Sequence, residues 1–143
     1  RRMASHPKFY FFDVGLYRTL RPAGPLDIPE EIGGHAIETL LLQELRAINV
    51  YLNLGYNIFY WMTSNNMEVD FVLYGNKGIL AFEIKRTAKV SSSMLKGLKA
   101  FQKDYPIAKA YFIYGGERHL YEGDIKILPI KDALKKLPEI LSH

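Results

Sequence analysis

Apolar positions along the chain follow two rhythms, one suited to helices and one to strands. Over residues 35–52 (HAIETLLLQELRAINVYL) they return at offsets of three, four and seven, which is one face of a helix. Residues 56–63 (YNIFYWMT) are aromatic and β-branched and predict a strand. Residues 68–86 (EVDFVLYGNKGILAFEIKR) predict two apolar strands around the turn Gly75-Asn76-Lys77-Gly78. Ser91, Ser92 and Ser93 then offer N-caps to a helix ending near Tyr105-Pro106. Met94, Leu95, Leu98, Phe101 and Tyr105 keep helical spacing along it. AKAYFIYGG predicts another strand, HLYEG and DIKILPI a short closing pair, and residues 130–141 a last amphipathic helix. Upstream, residues 8–13 predict a strand and residues 14–20 a short helical turn. RPAGPLDIPEEIGG, with three prolines and three glycines, predicts a loop or linker.

The resulting order is helix, three strands, helix, strand, two short strands, helix. It predicts an α/β fold, a mixed β-sheet flanked by helices. The compact domain is placed at residues 33–143. Residues 1–32 are read as an N-terminal strand, short helix and Pro/Gly-rich linker, with the strand packing back onto that domain. A length of 143 residues fits one domain, and 48% hydrophobic with 24% charged residues is an ordinary globular composition. No apolar run approaches the ~18 residues of a membrane span, and no segment reads as a signal peptide. The absence of cysteine excludes disulfides and thiolate metal sites and fits a reducing, cytoplasmic compartment. A formal charge of +4 and a pI near 9.2 permit phosphate-rich partners. The start Arg1-Arg2-Met3 is that expected of a fragment.

The hairpin holds the candidate chemistry. A turn centred between Asn76 and Lys77 pairs Gly75 with Gly78 and so sets Asp70 opposite Glu83. Directly opposed residues have Cβ atoms about 4.5–5.5 Å apart, and like charges there are destabilising. Alternation puts Glu83 and Lys85 on one face with Ile79 and Ala81, and Leu80, Phe82 and Ile84 on the other. A strand this apolar is expected to be buried on both sides, where charged groups need a partner or a metal. Glu38 lies in the apolar stripe of the first predicted helix with Leu41, Leu42 and Leu45, a stripe expected to face the sheet. Glu38, Asp70 and Glu83 are therefore expected to share Mg²⁺ or Mn²⁺, with the Ile84 carbonyl as a further ligand. Such an ion would polarise a phosphodiester, and Lys85 would stabilise charge on the attacked phosphate. The plainer reading is a surface salt bridge on a half-exposed hairpin, against which the stripe position of Glu38 weighs.

Lys96, Lys99 and Lys103 share a second helical stripe, and Arg86 and Lys89 precede it. Together with Lys85 they suit a surface that follows a DNA backbone, although a solvated helix face explains them equally simply. His35 is expected to decorate the helix start rather than ligate a metal. Tyr56, Phe59, Tyr60 and Trp61 have the type to stack on bases, but core packing is the expectation.

Glu38, then Asp70, then Glu83-x-Lys85 on a helix–strand–strand–strand scaffold resembles the PD-(D/E)XK nuclease superfamily, with Val69-Asp70 standing for the Pro-Asp of its name. More widely, KFYFFDVGLYRTL, GGHAIETLLLQEL, IFYWMTSNNMEVDFVL, FEIKRT and GLKAFQKDYP resemble successive blocks of one domain across nearly the whole chain. It is the C-terminal domain of unknown function carried by a family of prokaryotic AAA+ ATPases. The resemblance implies a restriction-endonuclease-like fold and an ATPase module as partner. It also implies that Glu38, Asp70, Glu83 and Lys85 stand at the nuclease positions. Two features depart from it: Met62 stands where that family commonly has arginine, and no GxxxxGK[ST] phosphate loop is present. The expected function is a Mg²⁺- or Mn²⁺-dependent nuclease acting on DNA. The alternatives are a non-catalytic DNA- or protein-binding module and a Holliday-junction-resolvase-like endonuclease.

Overall fold

The computed structural model describes residues 3–4 and 29–143, and the side chains of residue 34 and of residues 36–143. The expected strand at 8–13, helical turn at 14–20 and loop up to residue 28 lie outside the described residues, as does the His35 side chain. The described chain forms β1 (Met3–Ala4), α1 (Pro29–Tyr51), β2 (Asn57–Met62), β3 (Glu68–Gly75) and β4 (Gly78–Ile84). A 3₁₀ turn (Ser92–Leu95) leads into α2 (Lys96–Asp104), followed by β5 (Lys109–Tyr114), β6 (Leu120–Glu122), β7 (Ile125–Pro129) and α3 (Ile130–Ser142). The strands make one mixed sheet in the order β1-β2-β3-β4-β5-β7-β6, and the expected α/β class holds. β1 to β4 pair antiparallel, β4, β5 and β7 parallel, and β6 closes the far edge antiparallel to β7. A parallel step from β4 to β5 requires a crossover, and α2 supplies it.

The helices cover the two faces of the sheet. Leu41, Leu42 and Leu45 of α1 and Ala133, Leu137 and Leu141 of α3 pack with Phe71, Leu73, Leu80, Phe82 and Ile84. On the other face Leu95, Leu98 and Phe101 pack with Trp61, Val69, Val72, Ala81 and Phe112. Each such side chain contributes about 1.5–3 kcal/mol on burial, so the two layers anchor the sheet from both sides. β4 runs between them, and every residue from Ile79 to Ile84 is buried, as its unbroken apolar run predicted.

Three local expectations need correction. α1 begins at Pro29, six positions before the predicted start, so Gly33 and Gly34 are helical rather than linker. Pro29 suits a first helical turn, where its missing N–H costs nothing. Each glycine costs about 1 kcal/mol relative to alanine, which a helix of this length sustains. The three serines do not cap α2 with their side chains. The 3₁₀ turn uses the Met94 N–H on the Ser91 carbonyl instead (3.0 Å), and the Ser92 hydroxyl donates to Glu122 Oε1 (2.9 Å). A carboxylate is the stronger acceptor, so it takes the hydroxyl. Met94 is exposed and Tyr105 half-buried, which leaves Leu95, Leu98 and Phe101 as the buried face.

Two contacts hold α2 in place. Gly97 lies so close to β3 that a Cβ there would collide with the Glu68 main-chain carbonyl. Gly97→Ala is therefore expected to cost about 1–3 kcal/mol through forced displacement, read as a lower urea midpoint. An unchanged midpoint would contradict this contact. At the other side, the Lys99 ammonium and the Ser92 hydroxyl hold the Glu122 carboxyl below its ordinary value of 4.5. A carboxyl lowered on folding adds stability above its ordinary value and loses it as pH falls through the folded one. The melting difference between the parent and Glu122→Gln should therefore be largest at neutral pH and shrink on acidification below 4.5.

Candidate functional site

The β3–β4 ladder runs regularly from the Gly75–Gly78 rung to Phe71–Phe82. The regular register ends there; the next step would pair Asp70 with Glu83, and those two residues meet through side-chain bonds instead. There the sheet becomes irregular. β2 pairs Phe59 with Val72 and Trp61 with Val69, so Tyr60 alone faces both Phe71 and Asp70. This is a β-bulge, a device that bends a strand and re-aims a side chain.

At the bulge the two carboxylates take over main-chain bonding. The Asp70 N–H donates to Glu83 Oε1 at 3.2 Å, and the Ile84 N–H donates to Asp70 Oδ2 at 3.0 Å. A continued ladder would have given the Ile84 N–H to the Val69 carbonyl. Each acid thus accepts from the strand that carries the other. Asp70 is 2% and Glu83 4% exposed, and charged groups that deep are tolerated only when such donors meet them. Alternation along β4 assigns Glu83 to the α2 face with Ile79 and Ala81.

The remaining expected site residues divide around this pair. The Ile84 carbonyl shares the β3-facing edge of β4 with its N–H, so it is turned toward the pair. Lys85 lies just beyond β4, where its N–H donates to the Ile113 carbonyl at 2.9 Å. Its side chain is exposed and has no hydrogen bond or ion pair among the described residues. Glu38 is half-buried on α1. Its stripe partners Leu41, Leu42 and Leu45 pack on the α1–α3 face with Phe82 and Ile84, across the sheet from the face of Glu83. Among the described residues, no three His, Asp or Glu side chains stand together as a metal-holding group. The structure therefore brings Asp70 and Glu83 together as a pair. It does not gather Glu38 with them into a trio.

The basic residues lie where a helix surface puts them. Arg86, Lys89, Lys96 and Lys103 are exposed, whereas Lys99 is engaged by Glu122 Oε2. Core packing holds for Tyr56, whose hydroxyl donates to the Leu141 carbonyl at 2.9 Å. It holds also for Trp61, buried edge-on against Phe101 at 5.3 Å. Met62 is exposed. No signal in the sequence announced the bulge, which depends on how β2 and β3 register against each other.

Fold and site together define an α/β domain with a sealed pair of acids at a bulge in its mixed sheet. The chain belongs to the family described as "Domain of unknown function (DUF4143)", whose profile matches residues 33–133. No curated protein matches it significantly. Among the described residues no helix is long and apolar enough to cross a membrane.

Asp70→Ala strands the Ile84 N–H in the interior, and an unsatisfied buried donor costs about 1–3 kcal/mol. Asp70→Asn keeps an acceptor oxygen at that position and is expected to cost less. Denaturant melts of the two variants check this, and equal losses would show that the Ile84 bond contributes nothing.

Proposed function

We propose that this chain is a divalent-metal-dependent nuclease-type domain with a restriction-endonuclease-like fold, acting on DNA phosphodiesters in partnership with an AAA+ ATPase module. The observation that carries the reading is the opposed, buried pair Asp70 and Glu83 at the end of the β3–β4 ladder, with exposed Lys85 two residues beyond. The donor set fits a hard cation: carboxylate oxygens and a main-chain carbonyl are the ligands that Mg²⁺ and Mn²⁺ take, and the set contains no sulfur. Asp70, Glu83 and the Ile84 carbonyl would hold the ion. When bound, it supplies Lewis-acid polarisation of the phosphodiester and neutralises its charge. Lys85, solvent-facing and without an acidic partner among the described residues, has the reach and charge to meet a phosphate. Glu38 has the reach of a long side chain on a half-buried stripe, and its role is to orient water.

A second reading is a module without catalysis that binds DNA or the ATPase. It is favoured by the closure of the acid pair, since both carboxylates already accept main-chain N–H bonds and are almost shut off from solvent.

Cleavage assays on duplex, single-stranded and four-way-junction DNA with Mg²⁺ or Mn²⁺ separate the readings. The nuclease reading expects metal-dependent cleavage that Glu83→Ala and Lys85→Ala each reduce about a hundredfold or more. Lys85→Ala should leave stability within about 0.5 kcal/mol, because exposed positions away from packed features change little. A metal-dependent rise in melting temperature without cleavage would support binding alone. Neither a shift nor cleavage would end the metal-site reading.

A further inference from the structure

A second site lies on the α1–α3 face of the sheet, opposite the face to which alternation assigns Glu83. Between α3 and the starts of β5 and β7 the structure holds a cavity of about 520 Å³, within the range of small-molecule sites. Its floor is the buried pair Tyr111 and Leu128, both part of the α1–α3 core layer. The Tyr111 ring stacks on Phe82 with centroids 5.2 Å apart, so it is a fixed aromatic surface. Among the described residues its hydroxyl makes no hydrogen bond. Burial, and Tyr56 nearby, raise its pKa above the ordinary 10.0, so it stays a protonated donor.

Charge is distributed around the rim in a telling way. Lys126 from β7 and Lys136 from α3 are exposed, line the cavity and have no acidic partner among the described residues. The Lys126 ammonium stands 5.9 Å from the centre of the Tyr111 ring. A third lysine, Lys109, is occupied by the His143 carbonyl at 2.9 Å, and His119 is held by Asp132 Oδ2 at 2.7 Å. Asp124 and Glu139 are the acids of the lining. Two ammonium groups alone would suit a bare anion, but two carboxylates facing the same space would repel it. A ligand that satisfies both carries an anionic group, a planar ring and hydrogen-bond donors together.

We propose that this cavity binds a nucleoside monophosphate. The phosphate meets Lys126 and Lys136, which reach it from different elements as a clamp on one charge. The ring lies over the aromatic floor, and Asp124 and Glu139 accept from ribose hydroxyls or an exocyclic amine. The ligand can come from two sources, a free nucleotide or the 5′-phosphorylated end of a strand, and the chemistry is shared. The inference stands apart from the nuclease reading, because it uses no residue of the acid pair.

The test is titration of the full chain with adenosine 5′-monophosphate, followed by backbone NMR shifts and by calorimetry. Expected are shifts centred on Tyr111, Lys126 and Lys136, and weaker binding of adenosine alone and of inorganic phosphate alone. Lys126→Gln and Lys136→Gln, both at exposed positions, should each weaken binding about tenfold or more without moving the melting temperature. Lys135→Gln, exposed on α3 but outside the cavity lining, should bind as the parent does. Competition by a 5′-phosphorylated oligonucleotide would assign the site to strand ends, and its absence to free nucleotides; either supports the site. Shifts elsewhere, undiminished binding by both lysine variants, or phosphate binding as tightly as the nucleotide would overturn the proposal.

Discussion

A strand pair owns only main-chain N–H groups with which to meet a buried carboxylate, and the arrangement of the domain's centre follows from that. Asp70 and Glu83 meet just past the last regular rung of the β3–β4 ladder, in a sheet covered on both faces. Left unmet, two carboxylates there would each carry a desolvation cost of several kcal/mol and repel one another. The bulge resolves this by breaking the ladder where they sit, so that Ile84 donates to Asp70, and Asp70 to Glu83. The strands give up a regular rung, and the side chains replace it. Such a substitution holds only if the strands cannot slide, and the close approach of Gly97 to the Glu68 carbonyl pins β3 under α2 beside it.

β4 is the shared wall of everything chemically notable in the chain. Its α2-facing residues end in Glu83, while its other face contributes Phe82, on which Tyr111 stacks at the floor of the cavity. Adjacent residues of one strand therefore serve opposite sides of the sheet, one acidic, the other aromatic and buried behind the cavity floor. The same alternation bears on Glu38. α1 buries its leucines against Phe82 and Ile84, so Glu38 starts from the side of the sheet opposite the one that alternation gives Glu83.

For a family whose function is not assigned, these two places differ in the kind of chemistry they offer. The acid pair offers hard oxygen ligands already held by the backbone, so its geometry is preorganised and access is the open step. The cavity offers access at once, with a packed aromatic floor and exposed charged side chains at its edge.

Much of the architecture was legible in the residues alone. The apolar run of β4 predicted burial on both sides, and the Gly75–Gly78 turn set the register that opposes Asp70 and Glu83, because side-chain alternation and turn length are local properties. Helix positions followed from periodicity, although α1 starts six residues early because a proline in a first turn carries no penalty that composition could reveal. What only the tertiary structure decided was which groups meet. The serines of the α2 entrance turn to one another or to Glu122 instead of capping, and Lys99 is drawn from its stripe to the same carboxylate. The cavity joins residues of β5, β7 and α3 that no spacing rule connects. Periodicity says which way a side chain points from its own element, but the distance between elements depends on packing across the whole core, and hydrogen bonds and binding sites are decided at that distance.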